Sequence, residues 1–261
     1  MKALSIAATG MLAQQLNVEV ISNNIANMNT TGYKRQRAEF QDLLYQNLSR
    51  VGATSSDAGT IVPSGIQVGV GVKTGSVYRI TEQGNLISTS NPYDLAVNGS
   101  GYFKVRLPSG EDAYTRAGSF QLSPEGQIVT QQGYVVSPGI TIPAQALDVS
   151  VNNQGQVEVK MPGQITPQVV GKLDLALFPN AAGLEAIGDN MLKETAASGA
   201  ANVGIPGSPG FGTIQQGFLE TSNVNAVAEI TSLITAQRAY EMNSKVISAA
   251  DEMMNTISNV K

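Results

Sequence analysis

Three side chains that carry much of protein chemistry are missing from these 261 residues: there is no cysteine, no histidine and no tryptophan. Without cysteine no disulfide can form, and the redox compartment cannot be read from cysteine usage. Without cysteine and histidine, zinc and blue-copper sites lose their usual ligands, and neither a Ser-His-Asp nor a Cys-His triad can be built. Any general acid–base work falls to Asp, Glu, Lys or Tyr. Charge is scarce as well: 14% of residues are charged, against roughly 25% in typical soluble domains. Such a chain can hide much of its surface against other protein. The net charge of −4 argues against nucleic acid, which needs clustered Lys and Arg. The one basic cluster, Lys34, Arg35 and Arg37, reads as a solvated turn. No stretch approaches the roughly 18 apolar residues of a membrane span, so no membrane insertion is expected. The opening MKALSIAATGMLAQQLNVEV is interrupted by Thr9, Gly10, Gln14, Gln15 and Asn17 and does not read as a cleaved signal.

What is present is organised in sevens at both ends. Leu4, Met11, Val18 and Ile25 recur every seven residues, with Ala7, Gln14 and Ile21 at the companion offset. Leu233, Tyr240, Ile247 and Met254 do the same near the C-terminus, accompanied by Ala236, Asn243, Ala250 and Ile257. Each set predicts a helix with one apolar seam. The second helix is expected over about 224–257, because no Gly or Pro occurs from Asn225 to Lys261 and Ser222, Asn223 and Asn225 offer N-caps. The first is stopped by Asn23, Asn24, Asn27 and Asn29, followed by Gly32. Ile21, Ile25 and Met28 continue its apolar face, so Asn23, Asn24 and Asn27 are expected largely off that face. Two readings stay open for these amides: simple capping, or uncharged hydrogen bonding to a neighbouring subunit.

Between the helices the texture becomes short β-like runs punctuated by Pro108-Ser109-Gly110, Ser123-Pro124-Glu125-Gly126 and Gln132-Gly133. DVSVNNQGQVEVK reads as a hairpin with its loop at Asn152–Gly155. The expected fold class is α+β and multi-layer. Terminal helices (1–34 and 221–261) pair in a coiled-coil layer, extended connectors (35–93 and 192–220) follow, and a central all-β domain covers 94–191. The seam side chains alone do not offset the entropy of ordering both terminal segments, which favours burial shared among subunits over a self-sufficient hairpin. The glycines at 69, 71 and 75 do not make a phosphate loop, since the run SVYRI after them reads as strand. Glu111, Asp112 and Glu125 lie at turns and read as solvated acids rather than a glycosidase pair. Asn29-Thr30-Thr31 and Asn47-Leu48-Ser49 match the N-glycosylation pattern, a weak signal in so Asn-rich a chain.

Three stretches, in order along the chain, together resemble a known family. SNNIANMNTTGYKRQRAEF is similar to the N-terminal signature of the bacterial flagellar axial proteins, the rod and hook family. DLAVNGSGYFKV and AYTRAGSFQLSPEGQIVTQQGYVV look like its shared β core, and QRAYEMNSKVISAADEMMNT like its C-terminal signature. The segment LYQNLSRVGATSSDAGTIVPSGIQVGVGVKTGSVYRI is similar to one typical of the distal rod members. Proximal rod or hook-type members are the nearest alternative. A carbohydrate-active β-domain enzyme and a secreted adhesin are the more distant ones.

The resemblance implies a structural, non-enzymatic subunit with no cofactor, catalytic residue or metal site. Copies would stack helically into a rigid hollow shaft in the basal body, spanning the periplasm to the outer membrane, that carries torque to the hook. Implied partners are further copies, proximal rod proteins, the hook protein, the L- and P-ring bushing proteins and the flagellar type III export apparatus. The expected assembly residues are Leu4, Met11, Val18, Ile21, Ile25, Leu233, Tyr240, Ile247, Met254 and Ile257. The expected helix-end and inter-subunit polar set is Asn23, Asn24, Asn27, Asn29 and Gly32. Gly59, Ile61, Val62, Gly65 and Ile66 are expected to pack on a neighbour and stiffen the shaft.

Overall fold

The computed structural model describes residues 2–49, 65–164 and 166–259, which fall into two compact units. The first takes Met1–Ile25, Gln36–Tyr78 and Ala226–Lys261; the second takes Ala26–Arg35 and Arg79–Asn225.

The first unit holds both long helices, α1 (Lys2–Ala26) and α2 (Ala226–Asn259). Neither contains proline, and Gly10 is the only glycine in them, so nothing breaks the backbone ladder. In α2 the hydroxyls of Thr231, Ser232, Thr235, Ser248 and Thr256 donate to carbonyls four residues back. That local bonding leaves these side chains little need for other partners. Asn24 lies beside Glu229 and Gly10 beside Asn243, so the helices run antiparallel.

The same unit carries a β-ribbon. β1 (Gln36–Asp42) pairs with the strand Val72–Arg79, and β2 (Tyr45–Ser49) pairs antiparallel with β3 (Ile66–Gly69). The Leu43 amide donates to the Gly71 carbonyl between the two pairs, which makes the ribbon continuous. Its root docks on α1: the Val72 amide donates to Thr9 Oγ1 at 3.3 Å. A Cβ at Gly71 would collide with that same hydroxyl. This glycine therefore serves helix–ribbon contact, in keeping with the strand expected after it.

The second unit is almost entirely β. Its largest sheet runs Glu185–Gly188, Met191–Lys193, Asp112–Thr115, Tyr102–Arg106, Val135–Val136, Ile128–Val129 and Gln121–Leu122 in spatial order, with Leu175–Leu177 also bonded to Tyr102–Arg106. A three-stranded sheet holds the expected hairpin, Asp148–Val151 against Gln156–Lys160, with Gln168–Lys172 beside it. Strand alternation puts Val149, Val151, Val157 and Val159 inward with Phe103, Phe120, Leu175 and Ile214. Phe103 and Phe120 meet edge to face at 5.1 Å, the preferred aromatic arrangement.

Candidate assembly interface

The two ends of the chain meet along the α1–α2 contact. Gly10 makes this possible: a Cβ there would lie 2.9 Å from Asn243 Nδ2, so only glycine lets the α2 side chain come so close. On α2 the contact follows the expected heptad. Ala236 and Ala250 are buried, and Leu233, Asn243 and Ile247 are half-buried. Glu229, one step earlier in the same row, is buried too. Tyr240 of this row is partly open and lines a hollow of about 360 Å³ with Val18, flanked by Gln15, Glu19, Gln237 and Glu241. Met254 and Ile257 stand exposed. The pairing that sets Gly10 beside Asn243 runs out at the start of α1 before it reaches them.

On α1 the contact row sits one residue from the expected seam. It passes through Gly10 and Asn24, each directly before Met11 and Ile25. The fully buried positions are Ala7, Ala13, Val20, Ile21 and Asn24, whereas Leu4, Met11, Val18 and Ile25 are half-buried. Ala7 and Ile21, both at the expected companion offset, are thus the expected α1 seam side chains that are fully enclosed.

The asparagines separate by role. Asn24 is 1% exposed, contrary to its expected place off the buried face. Its Oδ1 accepts from the Gln36 amide at 2.8 Å, and its Nδ2 donates to the Gln36 carbonyl at 2.8 Å and to Glu229 Oε2 at 3.2 Å. One amide thereby joins α1, the start of β1 and α2. The reason is geometric: an amide offers a donor and an acceptor at once, which pairs both backbone groups of Gln36. Asn27 lies just past the helix, where Thr30 donates to its carbonyl and to its side chain, both at 3.1 Å. Asn23 and Asn29 point to the surface.

Beyond its α1 contact, α2 bears a second apolar face. Val227 is 75% exposed and Met242 62%, and Ile230, Ile234, Val246 and Met253 are also open. At 100° per residue Val227, Ile234 and Met242 lie on the side away from Glu229, Ala236 and Ile247, whereas Ile230 and, at the other edge, Val246 and Met253 flank the contact row. The ribbon is apolar and open as well, with Leu44 87% exposed and Tyr45, Leu48, Ile66 and Val68 alongside. Contiguous apolar surface of this kind marks interaction sites. Of the expected stiffening residues, Gly65 and Ile66 stand at the foot of β3. Gly59, Ile61 and Val62 lie outside the described residues.

In the second unit the chain segments leading to the two helices are tied by a buried charge cluster. Glu220 is fully enclosed, 2.5 Å from Lys34 Nζ through Oε1 and 2.6 Å from Arg116 Nε through Oε2. Lys34 also donates to the Glu82 carbonyl. The Arg116 guanidinium donates to the carbonyls of Val97, Gly99 and Gly101. Burial pushes the Lys34 ammonium below the ordinary lysine range, opposed by its bond to Glu220. Lys34 is therefore no solvated turn residue; with Arg116 it pairs the buried Glu220 and makes its burial tolerable. Gly32 beside it adopts φ +68, donates its amide to the Glu220 carbonyl at 2.8 Å, and packs its α-carbon against the backbone of Arg116 and Ala117. Sequence reasoning missed this cluster. Its only signal was one Arg and one Glu standing in otherwise apolar β runs.

The acids at turns are surface residues, Glu111 paired with Lys193 and Asp112 with Lys104. Two hollows in this unit hold one carboxylate each, Asp189 in one of about 190 Å³ and Asp148 in the other. Among the described residues no cluster of acids could hold a metal ion, and no helix is long and apolar enough to cross a membrane.

Three family patterns match successive parts of the chain. Residues 4–34 match "Flagella basal body rod protein", 96–159 the "Flagellar hook protein FlgE/F/G D1 domain", and 215–260 "Flagellar basal body rod FlgEFG protein C-terminal". Flagellar basal-body rod protein FlgG of Caulobacter vibrioides is 64% identical over the full length of both chains. The protein of that name from Agrobacterium fabrum is 52% identical, across 99% of this chain and 98% of its own. Flagellar basal-body rod protein FlgF of C. vibrioides is 34% identical over 96% of this chain and 94% of its own. Within one organism, then, the likeness to FlgG far exceeds that to FlgF.

Proposed function

The chain belongs to the flagellar basal-body rod protein family, and from that premise we propose how it works as a structural subunit of the distal rod. Copies assemble with themselves in the basal body, and the rod they form carries torque toward the hook. The carrying observation is that one chain folds both its ends into a single antiparallel helical pair while Val227, Ile234 and Met242 stay open on the outer side of α2 beside Arg238 and Lys245. A helix with apolar side chains on two sides is built for two partners. The first is α1 of the same chain; the second is another subunit.

We assign the chain no catalysis, in keeping with its membership of a family of structural rod proteins. In this reading the helical segments (1–34 and 221–261) form the layer shared among subunits, residues 35–93 and 192–220 serve as connectors, and residues 94–191 make up the β domain. Leu233 and Ile247 with Val18 and Ile21 hold the helical pair, while Met254 and Ile257, past the end of α1, contact a neighbour. Asn23 and Asn29, exposed at the helix end, offer uncharged amides to that neighbour. Proximal rod proteins, the hook protein, the L- and P-ring proteins and the type III export apparatus are the remaining partners.

Electron microscopy of the purified protein at rising concentration tests the reading. Straight hollow tubes are expected. A protein that stays monomeric under every assembly condition would count against it.

A further inference from the structure

We propose that the acid-rimmed hollow between α1 and α2 seats the outer face of α2 from a second copy, whose Arg238 and Lys245 pair with Glu19 and Glu241. The inference rests on the self-assembly reading above and specifies the surfaces that meet. The floor of the hollow is apolar, formed by Val18 and the Tyr240 ring; its rim carries the carboxylates of Glu19 and Glu241 and the amides of Gln15 and Gln237. The outer face of α2 is its complement. Ile234, Met242 and Val246 are open there, and Arg238 and Lys245 are exposed among them. The five salt bridges among the described residues all lie elsewhere, so none of these four charges is already committed to one. The Thr231 and Thr235 hydroxyls on this face donate to carbonyls of their own helix, which lowers the cost of drying it.

Hollow and outer face are different patches of one chain. Joining them is a heterologous contact, and repetition of such a contact gives an open helical assembly rather than a closed dimer. An anionic membrane is the competing occupant for a basic apolar helix face. Two cations are fewer than the cluster of 4–8 that lipid headgroups usually require, and Glu241 and Glu252 flank them.

Charge reversal tests the pairing. One variant carries Glu19→Lys and Glu241→Lys; the other carries Arg238→Glu and Lys245→Glu. All four sites are exposed, so both should fold, and matching far-ultraviolet circular dichroism checks that. At low salt each variant alone should need about tenfold more protein than wild type to form tubes. An equimolar mixture should assemble almost as readily as wild type, because each reversed hollow then meets a reversed face. A Glu19→Gln, Glu241→Gln variant should assemble with its salt dependence largely removed. Wild-type tubes together with normal assembly of each reversed variant, or a mixture without rescue, would overturn the pairing. Binding of the wild-type protein to phosphatidylserine vesicles, lost in the Arg238→Glu, Lys245→Glu variant whose assembly is unaffected, would also overturn it. Absence of tubes from wild type itself would instead count against the self-assembly reading.

Discussion

Lys34 and Glu220 stand 186 residues apart in the chain, and their charged atoms stand 2.5 Å apart in the fold. One precedes the β-ribbon and the other precedes α2, so this ion pair holds together the two strands of chain that lead into the helical layer. Arg35 and Asn223 repeat the tie one step along: the Arg35 amide donates to Asn223 Oδ1 at 2.7 Å, and Asn223 Nδ2 reaches the Ile80 and Glu82 carbonyls. All of these groups lie in the second unit, so the tie fixes the two segments to one another there.

Glu220→Gln should be among the most destabilising single changes in the β unit. It keeps the shape but leaves Lys34 and Arg116 buried without their anion. Breaking a buried pair from one side costs about 3–5 kcal/mol. Lys34→Met should cost less, because Arg116 still neutralises Glu220. Urea denaturation followed by tyrosine fluorescence reads both. Equal midpoints for wild type and Glu220→Gln would mean the cluster carries little of the fold.

The lowered Lys34 pKa has a signed consequence. Between its folded pKa and the ordinary lysine value of about 10.4, the unfolded chain binds more protons than the folded one. Stability therefore rises with pH across that window. Burial raises the Tyr102 phenol, which works in the opposite direction once pH passes the ordinary tyrosine value. The difference between wild type and Lys34→Met isolates the lysine contribution. That difference should grow in favour of wild type as pH climbs toward the ordinary lysine value, and a difference independent of pH would contradict the shift.

Gly32→Ala tests the turn itself. The φ of +68 strains any residue with a Cβ, and the added atom would lie 2.7 Å from the Ala117 backbone nitrogen. Backbone cannot move aside as a flexible side chain can. A loss of about 1–3 kcal/mol is expected, seen as a lower thermal midpoint. Alanine at Gly10 should be milder, because its obstacle is the Asn243 amide, which can rotate.

Much of this was legible in the sequence, for physical reasons that differ by element. Leu233, Ala236, Asn243, Ile247 and Ala250 announced the α2 contact because a heptad row is a direct image of a helix face. The α1 row was harder: it passes through Gly10 and Asn24, small or polar residues that a search for apolar periodicity skips. Lys34 looked solvated because charge clusters usually are, and only the fold shows Glu220 arriving from the far end of the chain. The ribbon strand QRAEFQD was hidden because both its faces are partly wet, which blurs the alternation that marks a half-buried strand.

Asn24→Asp would put a second carboxylate within hydrogen-bond reach of Glu229 in a buried site. Two such groups cannot both ionise cheaply, so the pair would hold a proton with a raised pKa. A raised acid pKa gives stability at low pH that is lost as pH increases. The α1 amides of this variant should exchange hydrogen faster than wild type at neutral pH and closer to wild type in acid. Asn24→Ala should speed exchange at both. Wild-type exchange rates in the Asp variant at neutral pH would remove Asn24 from the helix–ribbon junction.

The ribbon is where stiffness of the rod can be tested without touching the helical layer. A shaft that resists bending needs contacts between copies away from its axis as well as near it. The open apolar residues Leu48 and Ile66 sit on paired strands, with Ile66 opposite Ser49 in register. A paired ribbon is stiffer than a loop, so a neighbour that grips it gains leverage. Burying two such side chains contributes about 1.5–3 kcal/mol each, repeated at every subunit. Leu48→Ser with Ile66→Ser should therefore leave assembly intact, since α1 and α2 are unchanged, yet give tubes that bend more. Persistence length measured from electron micrographs is the readout. A clear drop supports the ribbon as a brace between copies. Tubes as straight as wild type would assign stiffness to the helical layer and β domain alone.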